Sequence, residues 1–218
     1  MQNDVLRAGP LPRAALAAFW VCSAAHLVLL AAGDGPLSSL TKALLMPLLT
    51  AWVLARRGPF PLVAALLLSW GGDVTLDVDG LFLAGMALFA AAHVCYVTFF
   101  VRRGALAVLR RRPSFFLLYA VLWAGLVALL WPGLGDLRLP VAGYSLLLTA
   151  TAVTAAGLGP RIGAGGALFL LSDALIAFGL AGLPRPPWVD LVVMATYVAA
   201  QYLLASGILA REGGPRAG

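Results

Sequence analysis

Lys42, Asp73, His93 and Asp173 interrupt long apolar runs, the two aspartates in LLLSWGGD and GGALFLLSD. A charged side chain at the centre of a membrane helix costs about 2.5–3.5 kcal/mol on insertion scales. Residues kept at that cost as a rule face a bundle interior or a water-filled cavity and mark function. A carboxyl in low dielectric resists ionising, and when two share a site one holds its proton more tightly still. The pair then offers a neutral acid that donates a proton and an ionised partner that stabilises developing positive charge or activates water. This suits acid-catalysed cleavage through an oxocarbenium ion, the logic of glycosidase carboxylate pairs.

Other chemistries use buried carboxylates. An intramembrane aspartyl protease requires a Gly-x-Gly-Asp signature, but Trp70 stands where its first glycine belongs and Ser172, not tyrosine, precedes Asp173. A proton-coupled transporter or lipid carrier would use the aspartates with His93 as a relay. The glycines Gly71, Gly72, Gly165 and Gly166 would permit the interrupted helices such proteins favour. A non-catalytic scaffold leaves the buried charges without a purpose.

The elements that position these residues follow from composition. Of 218 residues, 62% are hydrophobic and only 11% charged, more apolar side chain than a soluble domain can bury. Apolar segments fall at about 14–32, 38–55, 60–77, 81–101, 114–131, 140–158, 162–182 and 188–210, each long enough to span a bilayer. The expectation is an all-α integral membrane bundle of eight transmembrane helices forming one domain over residues 1–218. Arg7 and Arg13 before the first segment imitate a signal peptide, but its apolar core exceeds the usual 7–15 residues, so it reads as a span.

The net charge of +6 is a matter of topology. Arg7, Arg13, Arg56, Arg57, Arg102, Arg103, Arg110, Arg111, Arg112, Arg161, Arg211 and Arg216 all fall in the tails or the even-numbered loops. The odd-numbered loops hold only Arg138 and Arg185, with Asp34, Asp77, Asp79, Asp136 and Asp190 in or beside them. Positive-inside bias puts both termini in the cytoplasm, in a bacterial plasma membrane, and the basic face toward anionic lipid; nucleic acid is not a partner. Cys22 and Cys95 lie inside spans and read as packing residues, not a disulfide. Nothing calls for a metal or other cofactor.

Helical spacing collects further polar groups. Phe82, Gly85, Phe89, His93 and Tyr96 draw one stripe on the fourth span, and Asp190, Tyr197 and Gln201 another on the eighth. Lys42 lies near the outer end of the second span, Asp73 near that of the third, and Asp173 close to the middle of the seventh, with His26 a weaker candidate on the first. The segment Leu44 to Asp73 can also be laid over Leu146 to Asp173, the trace of a four-plus-four parallel repeat that would relate the two aspartates.

In order, TKALLMPLL, LLLSWGGD, FLAGMALFAAAHVCY, GGALFLLSDALIA and YVAAQYLL resemble the YhhN-type lysoplasmalogenase family from about Thr41 to Leu204. The resemblance implies hydrolysis of the vinyl-ether bond of lysoplasmalogens within the bilayer, releasing a fatty aldehyde and a glycerophosphoethanolamine or glycerophosphocholine. On matching positions it implies Asp73 and Asp173 as the catalytic aspartates, and Lys42, His93, Tyr96, Tyr197 and Gln201 as polar groups around the cavity. Depth assigns Asp173 as proton donor and Asp73 as its ionised partner. Lys42 near the headgroups becomes a phosphate contact, with Tyr144 at comparable depth and Ser172 beside Asp173 completing the substrate-binding set. One departure is visible: Ala43 stands where the family carries proline after the lysine.

Overall fold

The computed structural model describes residues 9–33, 35–111 and 113–213. Arg7, Asp34, Arg112 and Arg216, counted in the charge pattern, lie outside the described residues. All regular structure among the described residues is helical: α1 (Pro10–Ala32), α2 (Pro36–Ala55), α3 (Phe60–Leu76), α4 (Phe82–Arg102), α5 (Ala105–Arg111), α6 (Pro113–Leu130), α7 (Arg138–Ala156), α8 (Pro160–Leu180) and α9 (Val189–Glu212). A single 3-10 turn, Gly135–Leu137, leads into α7.

Seven of these helices are long and apolar enough to cross a membrane; α3, at 17 residues, is a shorter apolar helix outside the seven. The chain is an integral membrane protein of all-α architecture. Several helices start earlier than hydropathy alone places them, because proline opens α1, α2, α6 and α8. A proline there loses no helical hydrogen bond, since the first-turn N–H groups have no intrahelical acceptor. The short helix α5 was not anticipated. Its seven residues, ALAVLRR, are too few for periodicity to register.

The chain divides into two compact units, one running to Ala92 and resuming at Ala205, the other His93–Leu204, so that the divisions fall inside α4 and α9. In the first unit α1 and α2 form a packed hairpin, and α2 packs on α3. Helix α2 closes with Arg57 in the left-handed region (φ 52°), while the Gly58 N–H donates to Val53 O at 2.8 Å. These are the marks of a Schellman-type C-terminus.

Pro47 lies inside α2, and having no N–H it leaves the carbonyl of Ala43 without its helical donor. Trp70 of α3 supplies the replacement, its Nε1–H donating to Ala43 O at 2.9 Å. The tryptophan of SWGGD therefore ties α3 to α2, three residues before Asp73. Beyond it, Gly72 faces the Phe89 ring so closely that a methyl group would overlap it. The glycine pair serves close approach, and α3 runs unbroken through it.

In the second unit α7 packs against α5, α6 and α8. The next glycine pair works in two directions. A Cβ on Gly166 would meet Ala152 Cα at 2.9 Å and Ala155 Cβ at 2.8 Å on α7, and one on Gly165 would meet Leu204 N at 2.9 Å on α9. Adjacent positions on a helix point about 100° apart, so the two glycines admit two different neighbours. Helix α8 is also continuous through them, and the broken spans expected of a transporter are absent from α3 and α8. At one end of this unit Leu130, Leu134 and Val141 form a buried cluster joined by Leu126, Phe178 and Leu183. Helix α6 leaves Phe116, Leu117, Leu118, Val121 and Leu122 exposed, the apolar surface that lipid covers.

Candidate active site

Asp173 stands on α8 seven residues before Leu180, about 10 Å of helix, and one turn beyond Phe169. It is half-buried, and the hydroxyl of Tyr144 on α7 donates to its Oδ2. The same hydroxyl lies 3.4 Å from Nε2 of His93, which is completely buried. On the far side of the imidazole, Nδ1 lies 3.1 Å from Thr151 Oγ1. Thr151 commits its own proton to Leu147 O at 3.1 Å, so its oxygen is free only to accept. Nδ1 therefore carries the histidine proton, and bare Nε2 faces Tyr144.

Phe169 connects this chain to a second group of polar residues. Its ring meets His93 edge-on at 4.7 Å and Tyr197 at 5.5 Å between centroids. Tyr96 donates to Gln201 Oε1 at 2.7 Å, and Gln201 Nε2 donates to the Tyr197 hydroxyl at 3.4 Å. The two stripes read from the sequence thus meet, Tyr96 from α4 and Tyr197 and Gln201 from α9. Asp190, also on the α9 stripe, is elsewhere: it pairs with Arg185 at 2.5 Å. Ser172 spends its hydroxyl on Val193 O at 3.0 Å, joining α8 to α9.

Asp173 and Tyr144 line an open, narrow cavity between α6, α7 and α8. The remaining walls are almost wholly apolar, among them Leu126, Leu130, Leu134, Val141 and Leu170. Ser145 adds one hydroxyl, already engaged: it accepts from Trp123 Nε1 at 3.0 Å and donates to Ala142 O at 3.0 Å. A carboxyl group at the wall of an apolar slot can meet a hydrocarbon-borne functional group with little competing water.

Lys42, His26 and Asp73 belong to the other unit. Lys42 Nζ pairs with Asp77 Oδ1 at 2.5 Å, an acid that the sequence places among the charges in or beside the odd-numbered loops. Asp73 is buried, 5% exposed, in the last turn of α3. His26 Nδ1 lies 3.2 Å from Ser38 O and 3.1 Å from Thr41 Oγ1, which fits it to holding α1 and α2 together.

Thr151, Phe169 and Asp77 were not singled out from the sequence. Spacing held a signal for two of them: Thr151 is seven residues from Tyr144, and Phe169 four from Asp173, each pair sharing one helix face.

These features define a polytopic α-helical membrane protein with a histidine–tyrosine–aspartate chain beside an apolar cavity. The chain belongs to the YhhN family, whose model matches residues 37–208 and so takes in every site residue from Lys42 to Gln201. It is 35% identical to lysoplasmalogenase TMEM86B of Homo sapiens over 161 residues, 72% of this chain and 68% of that protein. It is 37% identical to lysoplasmalogenase TMEM86B of Sus scrofa over 150 residues, 67% of this chain and 62% of that protein. Against lysoplasmalogenase TMEM86B of Rattus norvegicus it is 32% identical over 214 residues, 94% and 88% of the two chains. No solved structure matches it.

Proposed function

We propose that this protein is a membrane hydrolase that cleaves the vinyl-ether bond of lysoplasmalogens to a fatty aldehyde and a glycerophospho-headgroup. The observation that carries the reading is Asp173: a carboxyl facing an apolar cavity, backed by Tyr144 and His93, in a family whose mammalian relatives are named lysoplasmalogenase. With both termini in the cytoplasm, the lipid enters the bundle from the bilayer and lays its alkenyl chain along the apolar walls.

Vinyl-ether hydrolysis begins with proton transfer to the alkene carbon one bond removed from the ether-linked carbon. The π electrons form the new C–H bond and leave an oxocarbenium ion. Water adds to that ion, a carboxylate takes the proton released, and the hemiacetal collapses as the glycerol oxygen is protonated and departs. Asp173 is the donor. While it is neutral, its O–H donates to the Tyr144 oxygen and the Tyr144 proton points to His93 Nε2, so every group in the chain has a partner. Once the proton has left, Tyr144 turns its hydroxyl onto the new carboxylate and covers the charge. The family resemblance gives Asp73 as the ionised carboxylate that the cation calls for, and substitution decides its part. Tyr96, Tyr197, Gln201 and Ser172 bond to one another or to backbone and fix the wall that holds Phe169 and His93.

The test is aldehyde release from a lysoplasmalogen by detergent-purified protein, with Asp73→Asn and Asp173→Asn variants that elute as the wild type does. Loss of about 100-fold or more in each variant is expected if each works in proton transfer. In deuterium oxide the released aldehyde must carry one deuterium on the carbon next to its carbonyl. A folded wild type that releases no aldehyde ends the hydrolase reading, and an active Asp73→Asn variant ends that aspartate's role.

A further inference from the structure

Arg138 is one of two basic residues in loops that otherwise collect acids. The second, Arg185, is neutralised by Asp190 at 2.5 Å. Arg138 has no carboxylate partner among the described residues. Its Nε donates to Trp131 O at 2.8 Å and its Nη2 to Pro132 O at 3.4 Å, while the guanidinium lies over the Trp131 ring, 5.9 Å from the centroid. Carbonyls and a ring steady the side chain without cancelling its charge, and a guanidinium with five N–H donors has several left over.

Its position gives that charge a direction. Arg138 is the first residue of α7, and Ala142 and Ser145, four and seven residues on, share its face and line the cavity that holds Asp173. Leu130 and Leu134, from the corner that carries Trp131, line the same cavity. No side chain caps the α7 N-terminus, whose dipole adds to the attraction for an anion. From Arg138 to Tyr144 the helix rises about 9 Å at 1.5 Å per residue. In a lysoplasmalogen, six to seven bonds separate phosphorus from the two vinyl carbons, roughly 8–9 Å when extended at bond lengths near 1.5 Å.

We infer that Arg138, one helical turn before Ala142 on the wall of the α6–α7–α8 cavity, binds the phosphate of the lysophospholipid and sets how far the vinyl ether reaches toward Asp173. Anchoring at one end turns an apolar slot that would accept any single chain into one that selects a phosphate-bearing lipid and fixes its register. The inference builds on the proposed hydrolysis, but its test does not require turnover.

The probes are a saturated 1-alkyl glycerophosphoethanolamine, which offers no alkene to protonate, and the matching 1-alkylglycerol, which lacks the phosphate. Each is titrated against the protein in a sugar-headgroup detergent and followed by tryptophan fluorescence. Arg138→Gln is expected to weaken the phospholipid about 10-fold while the alkylglycerol changes by less than twofold, and Arg138→Lys is expected to recover part of the loss. Equal weakening of both probes would make Arg138 a brace for the Trp131–Pro132 corner and overturn the inference, as would unchanged phospholipid binding or a wild type that binds neither probe. Arg138-dependent phospholipid binding without aldehyde release would instead sink the hydrolase and leave the phosphate site standing.

Discussion

Tyr144 is the residue on which the proposed chemistry turns, because its single hydroxyl lies between Asp173 and His93. Tyr144→Phe keeps the ring against His93 and removes only that hydroxyl. A hydrogen bond to a charged group contributes about 1.5–3 kcal/mol, so kcat for aldehyde release is expected to fall about 10- to 100-fold. KM should hardly move if Tyr144 works through Asp173 and not on the lipid. Steady-state kinetics in detergent settle this, and an unchanged kcat would remove Tyr144 from the proton path. Asp173 and His93, which the fold joins through Tyr144, were legible in the sequence because a polar group in an apolar run is a local signal, visible without knowing any neighbour. Thr151 carried no such signal, since a threonine in a membrane helix ordinarily spends its hydroxyl on its own backbone. It does so here, on Leu147 O, and its second role toward His93 appears only once α4 and α7 are side by side.

The helices were legible for a related reason: length and hydropathy are properties of one segment. How closely two segments approach is not, and the glycine pairs illustrate the difference. From sequence they permitted a broken span; in the fold Gly165 and Gly166 let α8 approach α9 and α7, and thereby set where Phe169 and Asp173 project from the same helix. Gly166→Ala puts a methyl group against Ala152 Cα and Ala155 Cβ, neither of which can swing aside. Overpacking of this kind costs about 1–3 kcal/mol, and a lower detergent Tm together with reduced activity is expected. Gly125 on α6 is the control, because a Cβ there meets nothing within 4 Å. Gly125→Ala should leave Tm unchanged or slightly raised, as alanine is the better helix former by about 1 kcal/mol. Equal effects of the two substitutions would mean that the α7–α8 approach does not govern the site.

At the scale of the molecule, orientation decides which leaflet meets Arg138. By position in the sequence, Arg13, Arg56, Arg57, Arg102, Arg103, Arg110, Arg111, Arg161 and Arg211 fall in the tails and even-numbered loops that positive-inside bias assigns to the cytoplasm. Of the three cations that the same bias assigns to the outer ends, Lys42 and Arg185 are held by Asp77 and Asp190, which leaves Arg138. The asymmetry predicts a labelling pattern for cysteines introduced into a Cys22→Ser, Cys95→Ser background. Asp136→Cys, exposed in the corner before α7, should react with a membrane-impermeant maleimide on intact cells; Ala107→Cys, exposed on α5, should react only after lysis. Both positions lie in the unit His93–Leu204, so the result orients the helices that carry Asp173 without reference to the rest of the chain. The reverse pattern would turn the Arg138 corner to the cytoplasm. The lipid headgroup would then be drawn from the inner leaflet, and the basic loops would need an explanation other than positive-inside bias, since that bias counts lysines and arginines in short loops of just this kind.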